Sequence, residues 1–159
     1  MFGFFKKDLR LLAPIAGKTI DLSQVPDAVF AQKMAGDGVA IDTTGDIVVA
    51  PTDGELSLIF KTNHAFAMTL EGGVELLVHI GIDTVTLEGE GFERLIEPGV
   101  HVKAGTPILK INRDLINSKG LSLITPVLIT NMDSVKDINP KVGVTVNEGS
   151  DVIMTYKFK

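Results

Sequence analysis

The sequence predicts an all-β fold, an antiparallel β-sandwich or flattened barrel with only short helical turns. Three observations carry this. Short apolar runs recur at intervals of about ten residues, separated by Pro, Gly, Asp and Asn. No stretch sustains the 3.6-residue apolar period that a helical layer would need. Finally, Leu12-Ala13-Pro14-Ile15-Ala16-Gly17 is echoed by Val49-Ala50-Pro51-Thr52-Asp53-Gly54, a strand-Ala-Pro-x-x-Gly unit used twice, which suggests a duplicated hairpin motif.

Taken in order, strands are expected at residues 11–15, 17–21, 38–43, 46–49, 54–59, 64–70, 74–79, 101–102, 107–112, 125–129 and 152–158, each a short run closed by turn-forming residues. Helical turns are expected at 30–34, 91–95 and 113–118, the last with Asp114 capping its start. Prolines between Glu97 and Pro107 mark turns. Gly36-Asp37-Gly38 reads as a turn, because the lysine and following helix of a phosphate-binding loop are missing.

A length of 159 residues with 45% apolar content suits one globular domain across 1–159. Residues 1–10 are expected to be loosely ordered, beginning with the aromatic and basic tag Met1-Phe2-Gly3-Phe4-Phe5-Lys6-Lys7. No apolar run approaches the roughly 20 residues that span a bilayer, and no signal peptide is evident, so a cytoplasmic location is expected. Cysteine is absent, which excludes disulfides, thiol catalysis and Cys-ligated metals. A net charge of −5 without a basic stripe argues against nucleic acid and fits a basic protein partner better.

Two β-rich runs, 62–70 and 74–85, are separated by Glu71-Gly72-Gly73, and each holds one histidine. Glycine accepts positive φ at hairpin turns without strain, so an antiparallel hairpin is expected. With Gly72-Gly73 as a two-residue loop, Phe66 stands opposite His79 and His64 is the diagonal neighbour. With Glu71-Gly72 as the loop, His64 and His79 are directly opposite. Either even loop puts both imidazoles on one face, and an odd loop would part them. Thr62 shares the face of His64 by alternation and is placed to fix its tautomer. Gly81 removes a side chain that would crowd the approach to His79, and Asp83 lies beyond it. Paired imidazoles suit either a phosphoryl-accepting nitrogen with a helper or half of a metal site.

Residues 25–34, 36–41, 62–66, 73–85 and 89–92, which include Thr62-Asn63-His64-Ala65-Phe66, Val78-His79-Ile80-Gly81-Ile82-Asp83 and Gly89-Glu90-Gly91-Phe92, carry a specific resemblance. They resemble the glucose-type enzyme IIA component of the bacterial phosphoenolpyruvate:sugar phosphotransferase system, in order from about Ala13 to the C-terminus. The resemblance implies that His79 accepts a phosphoryl group from the histidine-containing phosphocarrier protein HPr. It further implies delivery to the cysteine of a IIB domain of a membrane sugar permease. His64 would assist through a hydrogen bond to the phosphoryl oxygens, and Thr62 would orient His64. Asp27 and Asp83 would be acidic rim residues that meet arginines of the phosphocarrier. Ala28, Val29, Phe30, Phe60 and Leu77 would form an apolar collar, with core packing as an alternative for Leu77. Relatives also signal sugar supply to regulatory targets. A monomer is expected, since a carrier must present one face to successive partners.

Other readings compete. A zinc hydrolase needs three protein ligands and an open position, and only His64 and His79 are adjacent here, with His101 displaced as a surface residue. No resident cofactor is therefore expected, although His64 and His79 would hold zinc with a carboxylate supplied by a partner. Residues 97–106 resemble turns of lipoyl and biotinyl carrier domains, but Asn131-Met132-Asp133 has the methionine of such a carrier without its lysine.

Overall fold

The computed structural model describes residues 8–159, so the expectation for residues 1–7 lies outside the described residues. Leu9 and Arg10, expected in the loose segment, are instead in β1 (Leu9–Leu12) and pair with the C-terminal strand. The strands that follow are β2 (Gly17–Ile20), β3 (Asp37–Thr43), β4 (Ile47–Val49), β5 (Gly54–Ile59), β6 (Ala65–Thr69) and β7 (Glu75–His79). The second half adds β8 (Phe92–Arg94), β9 (Val100–Val102), β10 (Pro107–Ile111), β11 (Thr125–Ile129), β12 (Val135–Pro140), β13 (Thr145–Val146) and β14 (Val152–Phe158). Two short helices intervene, α1 (Ala28–Ala31) and α2 (Arg113–Ser118).

All pairings are antiparallel. An eight-stranded sheet runs in the order β13-β2-β3-β11-β7-β6-β5-β9, and two three-stranded sheets, β1-β14-β12 and β4-β10-β8, complete the sandwich. The duplicated Ala-Pro unit has a physical meaning in this topology. Leu12 donates its backbone N–H to the Pro51 carbonyl at 2.8 Å, and Val49 donates to the Pro14 carbonyl at 2.7 Å. The two copies bond to each other, each donating a backbone N–H to the carbonyl of the other's proline.

Strand alternation divides the buried side chains between two cores. In β7, Leu76 and Val78 enter the main core with Val39, Ile41, Phe66, Val127 and Ile129, while Leu77 and His79 point to the other face. That second face is covered over β3 and β11 by the segment around α1, where Leu22, Val25 and Phe30 pack on Ala40, Leu128 and Ile82. Burying Phe30 there contributes about 2 kcal/mol, enough to hold a four-residue helix that propensity alone would not. The central strand β11, buried along its whole length, serves both cores. The cover ends at His79, which is half-buried.

Several local expectations are corrected. Residues 91–95 are not helical but contain strand β8, held by pairing to β10. The first helix begins at Ala28 rather than 30, because Asp27 Oδ1 accepts the Val29 N–H at 2.9 Å and starts it earlier. The second is capped by Asn112, whose Oδ1 accepts from Leu115 N at 3.2 Å, not by Asp114. Residues 13–15 leave the sheet and bend into β2. Asp37 and Gly38 belong to β3 and not to a turn. His64 lies outside β6, which starts at Ala65.

Candidate functional site

The β6–β7 connection is neither of the two-residue loops. Glu71–Gly73 form a three-residue turn, with Gly72 and Gly73 at φ of 75° and 81° and Leu70 N donating to Val74 O at 2.8 Å. The register therefore sets Ala65 opposite His79 and Phe66 opposite Val78, and Ile80 N donates to the His64 carbonyl at 2.7 Å. By strand parity this odd loop should part the histidines. Their ring centroids are nevertheless 5.0 Å apart and nearly perpendicular, at 78°.

The reconciliation lies in the β5–β6 loop. Phe60 N donates to Ala65 O, closing a tight connection, and Asn63 N donates to Phe60 O at 2.7 Å. Asn63 takes a left-handed conformation at φ 59°, which asparagine tolerates better than most residues. His64 is thereby freed from alternation and turns onto the face of His79, where Ala65 offers only a methyl group between the strands. Thr62 does meet His64, with Oγ1 2.6 Å from Nδ1, but across a turn and not along a strand face.

Each imidazole is tied at one nitrogen. His79 Nδ1 donates to the Gly81 carbonyl at 2.7 Å. A carbonyl only accepts, so in the neutral ring the proton is on Nδ1 and the Nε2 lone pair is free. Gly81 stands at φ 81°, and a Cβ there would lie 2.6 Å from Thr84 Cγ2 and 2.7 Å from the Ser122 carbonyl. Its lack of a side chain answers to packing from beneath, not to the approach to His79. Thr84 in turn donates its hydroxyl to the Ile80 carbonyl at 2.6 Å, fixing the chain on which this carbonyl is presented.

Burial disfavours the protonated form of both rings. His64 is almost wholly buried, and this, with the nearby charge of a protonated His79, lowers its pKa to about 4. His79 is also lowered by burial, with partial compensation from the Gly81 carbonyl and the Asp27 and Asp83 carboxylates. Phe60 meets His64 edge to face at 5.4 Å, and Phe30 lies 5.0 Å from His79. The four rings form a row, Phe60, His64, His79, Phe30.

The remaining anticipated residues divide. Ala28 and Val29 are exposed on the first turn of α1, with Val29 46% exposed, and Asp27 caps that turn. Phe60 is partly exposed, and Asp83 is exposed at φ 59°. Leu77 packs against the second core, which is the packing alternative. His101 is exposed on the edge strand β9, three strands from β7. Two surface grooves, one beside α2 and β10, the other lined by Arg10, Glu55, His101 and Tyr156, contain neither His64 nor His79. Val85, 50% exposed beside Asp83, and Arg94, which bonds Asn63, were not singled out from the sequence. Valine in a β-rich run and arginine in a short strand carry no local signal. Among the described residues no three His, Asp or Glu gather to hold a metal, so the pair supplies two nitrogens alone. No described helix is long and apolar enough to cross a membrane.

The β-sandwich thus brings two imidazoles together edge to face, each with its Nδ1 held in a hydrogen bond. The model of the family "phosphoenolpyruvate-dependent sugar phosphotransferase system, EIIA 1" matches residues 9–135. The glucose-specific EIIA component of Bacillus anthracis is 43% identical over 161 residues, covering 100% of this chain and 98% of that one. That of Haemophilus influenzae is 44% identical over 150 residues, 94% of this chain and 90% of its own. The N-acetylglucosamine-specific EIICBA component of Escherichia coli is 51% identical over 123 residues, 77% of this chain and 19% of that one. Among solved structures, glucose permease IIA from Mycoplasma capricolum superposes with a TM-score of 0.88 at 37% identity, over 98% of this chain and 99% of that one. The chain belongs to the EIIA 1 family of phosphoenolpyruvate-dependent sugar phosphotransferase systems.

Proposed function

We propose that His79 Nε2 is the phosphoryl acceptor of a phosphocarrier that takes the group from HPr and gives it to the cysteine of a sugar permease IIB domain. The observation that carries this is the His79–Gly81 hydrogen bond, which leaves Nε2 as an unprotonated nucleophile at the molecular surface. In the first transfer the N–P bond of the donor's phosphohistidine breaks as the bond from His79 Nε2 to phosphorus forms. In the second the His79 N–P bond breaks as the cysteine sulfur takes the phosphoryl group. Little covalent work is left to the protein, so positioning and charge stabilisation dominate.

His64 suits the helper role. With the Thr62 hydroxyl donating to Nδ1, the single proton of neutral His64 resides on Nε2, available to a phosphoryl oxygen. Ala28, Val29 and Phe60 give an apolar docking surface, and Asp27 and Asp83 give a negative rim for a basic partner. The IIB assignment draws support from the EIICBA relative, whose name joins an A component to B and C components in one chain. Phosphorylation adds about −1.5 to −2 charges to this face and would release any regulatory partner bound there.

The experiment is phosphoryl transfer from radiolabelled phosphoenolpyruvate through the general phosphotransferase proteins, with wild type, His79→Ala and His64→Ala in parallel. Label is expected on wild type and His64→Ala, none on His79→Ala, and delivery from His64→Ala is expected to fail. No label on wild type, or label retained by His79→Ala, overturns the assignment.

A further inference from the structure

We propose that Arg94 is a positioning residue for His64: its guanidinium ties the β4-β10-β8 sheet to the loop that carries His64 and Thr62. Arg94 ends β8, which has no ladder to β5 or β6. Its side chain nevertheless crosses to their loop. Nε donates to Asn63 Oδ1 at 3.0 Å, and Nη2 reaches the Phe60 carbonyl at 3.5 Å. These two partners are the turn's own fixed points, since Phe60 O also accepts the Asn63 N–H and Asn63 carries the positive φ. Glu97 holds the far side of the guanidinium through Nη1 at 3.0 Å. A three-way fork of this kind needs the planar geometry of arginine, and a lysine ammonium reaches one such partner at a time.

The loop has reason to need an external brace. His64 stands outside β6, and although its carbonyl accepts from Ile80 N, the turn of its ring toward His79 depends on the left-handed Asn63. The Arg94–Asn63 bond fixes that residue from the side chain inward, and Thr62 and His64 flank it. Arg94 does not act on His64 by charge, for burial and His79 are what shift His64. Nor does it reach the reacting nitrogens, so its effect is on where His64 stands.

The transfer arm of the test rests on the phosphocarrier reading, and the spectroscopic arm does not. The variants are Arg94→Gln, Arg94→Lys, Asn63→Gly, which keeps positive φ but loses the acceptor, and Asn63→Asp, which keeps both. The readouts are the ring 15N spectrum of His64 and the rates of labelling of His79 and of delivery to a IIB domain. The first three variants are expected to replace the single His64 tautomer by an averaged signal and to slow delivery about tenfold, with labelling within about twofold of wild type. Asn63→Asp is expected to match wild type. A wild-type His64 spectrum in Arg94→Gln and Asn63→Gly overturns the proposal, as does a loss in Arg94→Gln that Asn63→Gly does not share. Should Arg94→Gln fail to fold, Arg94→Lys and Asn63→Gly make the same comparison. If the wild type takes no label, the phosphocarrier reading fails while the spectra still decide the role of Arg94.

Discussion

His79 donates through Nδ1 to the carbonyl of Gly81, two residues along its own chain, at 2.7 Å. The ring is thus oriented by the chain that immediately follows its own strand. The bond depends on a backbone at φ 81°, packed against Thr84 and Ser122, so Gly81→Ala is expected to do two things. It lowers stability by about 1 to 3 kcal/mol, read from the urea unfolding midpoint, because strain and overlap both rise. It also frees Nδ1, so the ring 15N spectrum of His79 loses its single Nδ1–H tautomer. A variant with unchanged stability and tautomer would contradict this account.

The low pKa of His64 makes folding stability depend on pH in one direction. Its folded pKa of about 4 lies below the unfolded value near 6.5, so the unfolded chain binds the extra proton. The contribution is fully present above about pH 6.5 and is lost as pH falls toward 4, on the order of 3 kcal/mol across that window. Chemical denaturation of wild type and His64→Gln at a series of pH values measures it. The wild-type curve is expected to fall more steeply between pH 6.5 and 4, and parallel curves would assign the buried ring an ordinary pKa.

Thr62 contributes one hydroxyl, 2.6 Å from His64 Nδ1. Thr62→Val keeps the branched shape and removes that hydroxyl alone. With Nδ1 unpartnered, His64 no longer holds its proton on Nε2, so delivery of the phosphoryl group is expected to slow about tenfold. Acceptance on His79 is expected to change little, and Thr62→Ser is expected to restore delivery. Labelling and delivery time courses with the three proteins check the split. Equal slowing of both steps would place Thr62 outside this role.

The sequence made the sandwich legible because its signals are local. Turn residues punctuate short runs, and the two Ala-Pro units that echo each other in sequence also bond to each other in space. The edge elements were not legible. β13 is only two residues long, and β12 is interrupted by a bulge with Asp137 at φ 52°, so neither shows alternation. At the site, both histidines and Thr62 were visible as residue types, but the loop geometry joining them was not. Parity with the true three-residue loop separates His64 from His79, and only the left-handed Asn63 brings them together. Arg94 was invisible for the same reason, since Asn63 and Phe60 lie 31 and 34 residues away in sequence, in a loop of another sheet.

Asp27 joins two functions that a single substitution can separate. Its carboxylate caps α1 through Val29 N, and its charge favours the protonated form of His79 from the rim of the site. Asn is as good a cap as Asp, so Asp27→Asn keeps the helix and removes only the charge. Three effects are expected. Stability changes by less than about 0.5 kcal/mol, whereas Asp27→Ala loses about 1 kcal/mol with the cap. The His79 pKa falls further, because a compensating anion is gone. Association with a basic phosphocarrier slows about two- to tenfold at low salt, and the difference shrinks as ionic strength rises past the point where a Debye length of about 10 Å screens the rim. Stopped-flow association at several salt concentrations, beside a histidine titration, measures the last two. A salt-independent loss would mean that Asp27 acts through the shape of α1 and not through its charge.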